Sequence, residues 1–509
     1  MPETQVLIVG AGPTGLVLAI QLARHGIACR IIDRAAGPGE ASRAMAVHAR
    51  TLEFYRQFGF ADQVAAAGIP MATLHLRQAG REVARLELGA LGAGESRYPF
   101  ILSLPQDEHE RLLGAQLSAL GLRVEWGVEL RALAEIPGGL RATLAGPAGE
   151  ESCEAAWLCG CDGAHSRVRQ AIGLGFPGGT YAQRFYVADV AIAGPARPDI
   201  EANIAAQGLA LLFPVRRAGM QRVIGILPPE LGDRDDVTFD AVRPVAEAML
   251  GISVERANWF STYHVHHRVA AGFRRGRAFL AGDAGHIHSP AGGQGMNTGI
   301  GDAVNLGWKL AEVLQGQAAE SLLESYEQER IGFARTLVAT TDRAFTALVG
   351  TGPGSRLLRQ VVLPRLAPLL LGIGPVRRRL FRTASQIRIA YPDSPLSEGR
   401  AGALAAGARL PFLEVPGGDS HAPLDGLGWR LQLHGEAAPP LRAAAAELGL
   451  PLDTFPWSAA AGRAGLARDA AYLLRPDGHI GLAWEGQDPA RLRAYAAKHG
   501  LRFGQGGSP

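Results

Sequence analysis

At 509 residues the chain has room for about three domains, given the usual span of roughly 100–200 residues each. Its 51 basic and 48 acidic residues leave a surplus of only +3, too little to imply a nucleic-acid partner, and 47% hydrophobic with 19% charged residues is an ordinary soluble globular composition. The four cysteines, Cys29, Cys153, Cys159 and Cys161, contain no C-x-x-C pair, which argues against a disulfide framework and fits a reducing cytoplasm.

No basic leader opens the chain, and the first apolar run is broken by Gly10, Gly12, Pro13 and Gly15, so it reads as a strand and turn. Residues 5–9 predict a buried parallel strand, 16–25 a helix stopped by Gly26, and 28–32 a second strand closed by Asp33, making a βαβ unit in about thirty residues. Helices are expected over 44–58 and 106–120, a short strand over 123–125, and another over 154–158 that runs into glycine-rich 160–163. From about 184 to 265 the pattern becomes short alternating strands, including 185–192, 210–215 and 222–227, which implies a mixed or antiparallel sheet in a separate layer. A buried strand at 278–280 leads into the glycine-dense loop 282–301, followed by helices over 302–314 and 321–347.

The zone 350–402 reads as helix then linker. Its most membrane-like stretch, 361–376, is too short and too interrupted by Pro364, Arg365, Pro368 and Pro375 to span a bilayer. The arginines at 377–379 read as a solvated helix face. The tail predicts a small α/β domain: a strand at 429–433, a helix at 441–448, a hairpin turned at Pro476-Asp477-Gly478 and a helix at 489–499.

Glycine makes up 66 residues, about twice its usual share of roughly 7%, so it informs only through its spacing. Gly10-x-Gly12-x-x-Gly15 lies between a strand and a helix: a tight turn, a close approach for pyrophosphate, and close helix–strand packing. Pro13, Thr14 and Gly15 start a helix whose free N–H groups suit phosphates, and Asp33-Arg34 closes the next strand where a carboxylate can accept from a ribose hydroxyl. The triplet does not choose between NAD and FAD. Two further segments do: Cys161-Asp162-Gly163-Ala164-His165-Ser166-Arg167, and Gly282-Asp283-Ala284-Gly285-His286 running through Ser289-Pro290 to Gly293-Gln294-Gly295-Met296-Asn297. Asp283 can accept from a cofactor polyol, and the backbone N–H groups up to Asn297 open the next helix, a nest suited to negative charge on a reduced isoalloxazine ring.

These three segments, in this order and spacing, resemble the class A flavoprotein monooxygenases, the family of para-hydroxybenzoate hydroxylase and the FAD-dependent aromatic and polyketide hydroxylases. The resemblance covers essentially the whole chain. It implies a Rossmann-like α/β FAD-binding domain (1–180 and 269–395, the latter with a helical linker), an interleaved β-sheet substrate domain (181–268) and a thioredoxin-like C-terminal α/β domain (396–509) of the phenol-hydroxylase branch. No cysteine follows Cys161, so that tail cannot do dithiol chemistry and reads as a packing or assembly module. Arg43 and Gln106 match positions that touch the flavin's phosphates and ribityl chain, and Asp162 matches the motif linking the FAD and NAD(P)H regions. Pro290, with Gly293 and Gly295, matches the loop over the reacting side of the flavin. Asp33 stands where many members have Glu, and its shorter side chain still suits a ribose.

The implied reaction uses FAD, NADPH or NADH as a transient reductant, and O₂. A C4a-hydroperoxyflavin would hydroxylate a phenolic or polycyclic aromatic substrate. Substrate contacts are expected from Arg184, Tyr186, Leu212, Phe213 and Pro290, with no side-chain base identifiable. The expected protein is cytoplasmic, without a membrane span or nucleic-acid partner, and the resemblance implies a homodimer. Baeyer–Villiger oxygenation shares the same motifs and stays open, as does a flavin-holding protein that only binds aromatic ligands. His264, His266, His267, His286 and His288 suggest a metal, but no carboxylate or cysteine completes a ligand set, so none is expected. Halogenation lacks its W-x-W segment and a lysine ahead of Lys309, and a disulfide reductase lacks its cysteine pair.

Overall fold

The computed structural model describes residues 4–39, 44–78, 81–89, 91–205, 208–216, 219–232, 234–289, 291–350, 352–357, 365–366 and 373–504. The strand Thr4–Val9 is buried from Val6 onward and pairs in parallel with Cys29–Asp33 on one side and Gly149–Gly160 on the other. Val124–Trp126 and Ala278–Leu280 extend the sheet, again in parallel. Near-continuous apolar runs are what strands covered on both faces require. Helix α1 (Pro13–Arg24) starts with Pro13, whose fixed φ suits a first helical turn, and buries Leu16 to Leu22. Helices α2 (Ala49–Gln57) and α3 (Gln106–Ala119) follow. The predicted βαβ unit is therefore present.

The predicted helix over 44–58 is instead a short strand, Ala46–Val47, followed by α2. The strand pairs with Ile101–Ser103, and His48 stays extended while its N–H donates to Asn297 Oδ1 at 2.9 Å. Tertiary hydrogen bonds override local helical spacing there.

The middle layer is an eight-stranded mixed sheet in the order His286–Ile287, Val254–Val269, Gly178–Ile192, Met220–Ile226, Gly208–Pro214, Ile200–Ala205, Thr73–Gln78 and Arg81–Glu87. The strands at 185–192, 210–215 and 222–227 are found within it. Two strands come from well before residue 181, with Thr73–Gln78 running parallel to Ile200–Ala205, so the two domains interleave earlier than their sequence suggests.

Helix α4 (Phe239–Leu250) covers one face of this sheet, packing Phe239, Val242 and Ala246 against Tyr186, Ala188, Ala210, Leu212 and Val223. Register places Phe185 opposite Ile226 and Tyr263, and Val187 opposite Ile224, with Ile224 opposite Leu211; this set alternates with the first and forms the other face.

Helix α5 (Gly295–Leu314) begins seven residues before the predicted 302. Glycine disfavours helix, but here closeness demands it: a Cβ on Gly299 would overlap the Thr14 side chain and come within 3.1 Å of Gly282 Cα. Helix α6 (Glu324–Val349) follows, preceded by a 3₁₀ turn at Glu320–Leu323, and then α7 (Gly374–Ala384). In the tail, Arg430–His434 pairs in parallel with Leu452–Phe455 across helix α8 (Pro439–Glu447). The hairpin Ala471–Leu474 and Ile480–Trp484 turns where predicted, and α9 (Pro489–His499) closes the domain. Its core includes Leu431, Leu433, Leu441, Trp484, Leu492 and Tyr495, and Trp308 of α5 is inserted into it, so the tail is packed onto α5. No helix among the described residues is long and apolar enough to cross a membrane.

Candidate functional site

The three glycine segments, distant in sequence, meet at the carboxyl ends of the parallel strands Thr4–Val9, Gly149–Gly160 and Ala278–Leu280, the crevice where open α/β sheets take ligands. Gly10 (φ +106) leaves the first strand against Cys161 and Asp162; a Cβ there would lie 2.8 Å from Asp162 Cα. Gly15 packs on Gly10 and Cys161, and a Cβ on it would sit 3.3 Å from Cys161 Cβ and overlap the Gly10 carbonyl. Gly12 differs: nothing lies within 4 Å of its would-be Cβ. That space opens onto the start of α1, which has no side-chain cap and no acidic residue in its first turn. Backbone N–H groups facing open space at a helix start fit a pyrophosphate.

Asp33 ends its strand half-buried, with Oδ2 accepting from the Ala11 N–H (2.7 Å) and Oδ1 from the Ala35 N–H (2.8 Å). A carboxylate has about four lone-pair sites, so capacity for a ribose hydroxyl remains. Arg34 beside it is exposed. Asp162 caps the short helix Arg167–Ala171: its Oδ2 accepts from the N–H groups of Arg167 (2.7 Å) and Val168 (3.1 Å). Its Oδ1 is buried with no hydrogen-bond partner, and burial pushes the carboxyl up from its ordinary value. An orphaned acceptor beside Gly10 is a second feature that fits a cofactor donor. Arg169 ties this segment to the next, donating to the carbonyls of Ala164 and Ala284, both at 2.8 Å.

Asp283 is exposed on the 3₁₀ turn Gly282–Ala284, next to Thr14. The Gly282 N–H donates to Asp302 Oδ2 (2.9 Å), which His286 Nε2 also meets at 2.7 Å, while the Arg330 Nε donates to Asp302 Oδ1 at 2.5 Å. Burial works to raise the Asp302 carboxyl, and Arg330 with His286 overrides it, leaving it below the usual carboxylate range. Gly292 and Gly293 adopt φ +76 and +64, turning the chain into α5. Gly295, Met296 and Asn297 occupy the first turn of that helix, which has no acidic residue and no side-chain cap. The Asn297 side chain is used internally: Nδ2 donates to Ala46 O (2.8 Å) and Gly293 O (3.0 Å), and Oδ1 accepts from the His48 N–H and the Thr51 hydroxyl. Its contribution to a ligand is therefore its backbone. Met296 lies against His109 Nδ1 at 3.4 Å. Gln106, first residue of α3, donates from its N–H to Ala44 O at 3.0 Å and from Nε2 to Glu110 at 2.7 Å. Arg43 and Pro290 lie outside the described residues.

The substrate candidates divide. Tyr186 and Leu212 face α4 in a closed core, 1% and 0% exposed, and Arg184 on the same face donates to the carbonyls of Gly232 and Arg234 and to the Thr262 hydroxyl. Strand alternation sends Leu212 and Phe213 to opposite faces, so both cannot line one pocket. Phe213 is on the other face. There Leu211, Phe213, Ile224, Ile226 and Tyr263 are apolar yet only half-buried, and Phe213 and Ile224 pack with Met45 beside the Ala46–Val47 strand that abuts Gly293.

Among the described residues no group of histidines, cysteines and carboxylates could hold a metal. His266 instead shares its surroundings with Arg268, His264, His165 and His267, and burial first, then these neighbours, lowers its pKa. All four cysteines are free and buried.

The charged network behind the crevice went unread in the sequence. Glu329 is fully buried, accepting from Arg475 (2.7 and 3.0 Å), Lys309 (2.8 Å) and Asn305 (2.6 Å). Arg475 also binds Asp477, which accepts from Trp308 Nε1 at 3.2 Å, joining the tail to α5 and α6. Glu327-x-Glu329-Arg330 reads in sequence as a solvated helix face, and only its partners 28 and 146 residues away reveal otherwise.

Residues 3–341 match the family described as FAD binding domain. A 6-methylpretetramide 4-monooxygenase from Streptomyces rimosus is 39% identical over 408 residues, covering 78% of this chain and 71% of its own. A rifampicin monooxygenase from Streptomyces venezuelae is 30% identical over 96% of both chains. The solved structure of an aromatic hydroxylase from angucycline biosynthesis superposes with a TM-score of 0.79 at 28% identity, covering 98% of this chain and 99% of the other. With the glycine cradle, the orphaned Asp162 oxygen and the open helix starts fitting the cofactor, the chain belongs to the FAD-binding-domain family and is a flavoprotein monooxygenase.

Proposed function

We propose that the chain hydroxylates a polycyclic, phenolic aromatic compound of the polyketide type, using FAD, a reduced nicotinamide and O₂. The observation that carries the substrate class is the half-buried apolar face of Leu211, Phe213, Ile224, Ile226 and Tyr263, set against the Met45–Val47 segment beside the flavin loop. A flat, extended apolar ring system would complete the burial of that face. Similarity to enzymes named for 6-methylpretetramide and rifampicin supports the same class.

The chemistry that bound FAD would supply is uptake of a hydride from the nicotinamide and transfer of one oxygen atom of O₂ to the substrate ring, the other leaving as water. The protein's part is positional. The open space at Gly12 and the N–H groups at the α1 start would receive the pyrophosphate, with Gly15 holding α1 close to Gly10 and Cys161, while Asp33 with Arg34 would serve the adenosine side. Asp162, Asp283, Gln106 and Arg43 hold the polyol and phosphates, and the N–H groups of Gly293, Gly295, Met296 and Asn297 stabilise negative charge on the ring. The apolar face excludes water from the ring that receives the oxygen. Four buried reduced thiols support a cytoplasmic location.

The test is oxidation of NADPH and of NADH against a panel of phenols and polycyclic aromatics, with catalase added. A polycyclic phenol that accelerates oxidation and gains one oxygen supports the proposal. Stimulation and oxygenation confined to single-ring phenols would overturn the substrate class.

A further inference from the structure

Helix α7 is capped by Ser385, and the next residue, Gln386, adopts φ +60. Helix ends usually give that left-handed position to glycine, because a Cβ is disfavoured there. The reversal is otherwise well formed, with the Arg388 N–H reaching back to the Arg382 carbonyl at 3.1 Å. A glutamine persists in such a conformation only where its surroundings over-determine it.

The side chain shows what does so. Gln386 is only 4% exposed, and its Nε2 donates to Gln294 Oε1 at 2.7 Å and to the Thr298 hydroxyl at 2.8 Å. Gln294 returns the contact, donating from Nε2 to the Ala384 carbonyl at 2.7 Å and to the Gly292 carbonyl at 3.2 Å. The Thr298 hydroxyl donates to the Gln294 carbonyl at 2.9 Å. Two buried amides, 92 residues apart, thus clasp the turn that delivers the chain into α5. Gly292 and Gly293 in that turn are both left-handed, so their own backbone does little to restrict it. The clasp joins Asn297 Nδ2 on the Gly293 carbonyl and His48 Nε2 on the Gly292 carbonyl, both at 3.0 Å, in restricting it.

We propose that Gln386 is a positioning residue for the flavin, acting through Gln294 to hold the Gly292–Gly295 turn so that the N–H groups opening α5 face the cofactor. The proposal rests on the FAD reading above and requires no contact between Gln386 and FAD. Donors at a helix start favour negative charge, so loosening them weakens the hold on reduced, anionic FAD more than on the oxidised form. A purely structural role would lower melting temperature without changing that ratio.

Gln386→Gly removes the amide and relaxes the backbone; Gln386→Asn keeps a shorter amide on a residue that tolerates the left-handed region. The readouts are melting temperature, oxidised FAD affinity by fluorescence quenching, and the midpoint potential of bound FAD. The Gly variant is expected to fold, to lose about threefold in affinity for oxidised FAD and about thirtyfold for reduced FAD, the tenfold difference appearing as about 30 mV toward more negative potential. The Asn variant is expected to fall between it and the parent. Wild-type affinity and potential in both variants would overturn the proposal. So would equal weakening of both redox forms in step with lost thermal stability. If the Gly variant does not fold, the potential of the Asn variant decides: a negative shift supports the clasp and an unchanged value overturns it. Failure of the unmutated protein to take up FAD would overturn the flavin reading itself, whereas normal uptake with unaffected variants overturns only the role of Gln386.

Discussion

Gly12 and Gly15 are three residues apart in one motif, yet their surroundings assign them different work, and single alanine substitutions separate the two. At Gly15 a methyl group would fall within 3.0 Å of the Gly10 carbonyl oxygen, 3.1 Å from the Gly10 carbonyl carbon and 3.3 Å from Cys161 Cβ. Two of these three are backbone atoms, so α1 must move away from the sheet. Overpacking of that kind costs about 3 kcal/mol, so Gly15→Ala should weaken the protein even without cofactor. At Gly12 the methyl meets nothing within 4 Å, and the backbone conformation (φ −70) suits alanine. The apoprotein should lose only about 0.5–1 kcal/mol, the difference between glycine and alanine as an N-cap. The same methyl group occupies the approach of the pyrophosphate, and losing one or two charge-assisted hydrogen bonds costs about 3 kcal/mol, or about a hundredfold in FAD affinity. Urea unfolding of the apoproteins and FAD titration read the two effects independently. Gly12→Ala binding FAD as tightly as the parent, or Gly15→Ala as stable as the parent, would refute the assignment.

Glu329→Gln leaves Arg475 and Lys309 buried against a neutral amide, which should cost about 3–5 kcal/mol in chemical denaturation; a loss under 1 kcal/mol would contradict this. Burial raises the Glu312 carboxyl to about 7. Between pH 4.5 and 7 the folded protein therefore holds a proton that the unfolded chain has released, so stability falls as pH rises through that window and levels off above it. The drop is at most about 3 kcal/mol, and Glu312→Gln should remove it; an unchanged pH–stability profile would show the group is solvated. Leu212→Ala should cost about 2–5 kcal/mol of stability, whereas Phe213→Ala should chiefly raise KM for the aromatic substrate, by about tenfold. The reverse pattern would place the pocket on the α4 side.

The parallel sheet, its phosphate-binding turn and the two later glycine segments were legible because their signals are local: a period, a turn residue, a fixed spacing. The tail hairpin at Pro476-Asp477-Gly478 was legible for the same reason. What failed to show depends on distant partners. Thr73–Gln78 and Arg81–Glu87 carry charged residues along both strands and resemble loop until they pair beside Ile200–Ala205. Leu212 and Phe213 are equally apolar in sequence, and only the position of α4 shows which one is core. Glu329, Arg330 and Gln386 look like surface polar residues, and their burial comes entirely from contacts with segments elsewhere in the chain.

The central claim is that this chain transfers one oxygen atom of O₂ to an aromatic ring with a reduced nicotinamide as electron source. Turnover of a responsive polycyclic phenol under ¹⁸O₂, with NADPH or NADH counted against product, tests it most directly. The account predicts one labelled oxygen as a new ring hydroxyl for each nicotinamide oxidised. Product formed without reductant, product carrying no label, or label inserted into the ring as an ester oxygen would contradict it.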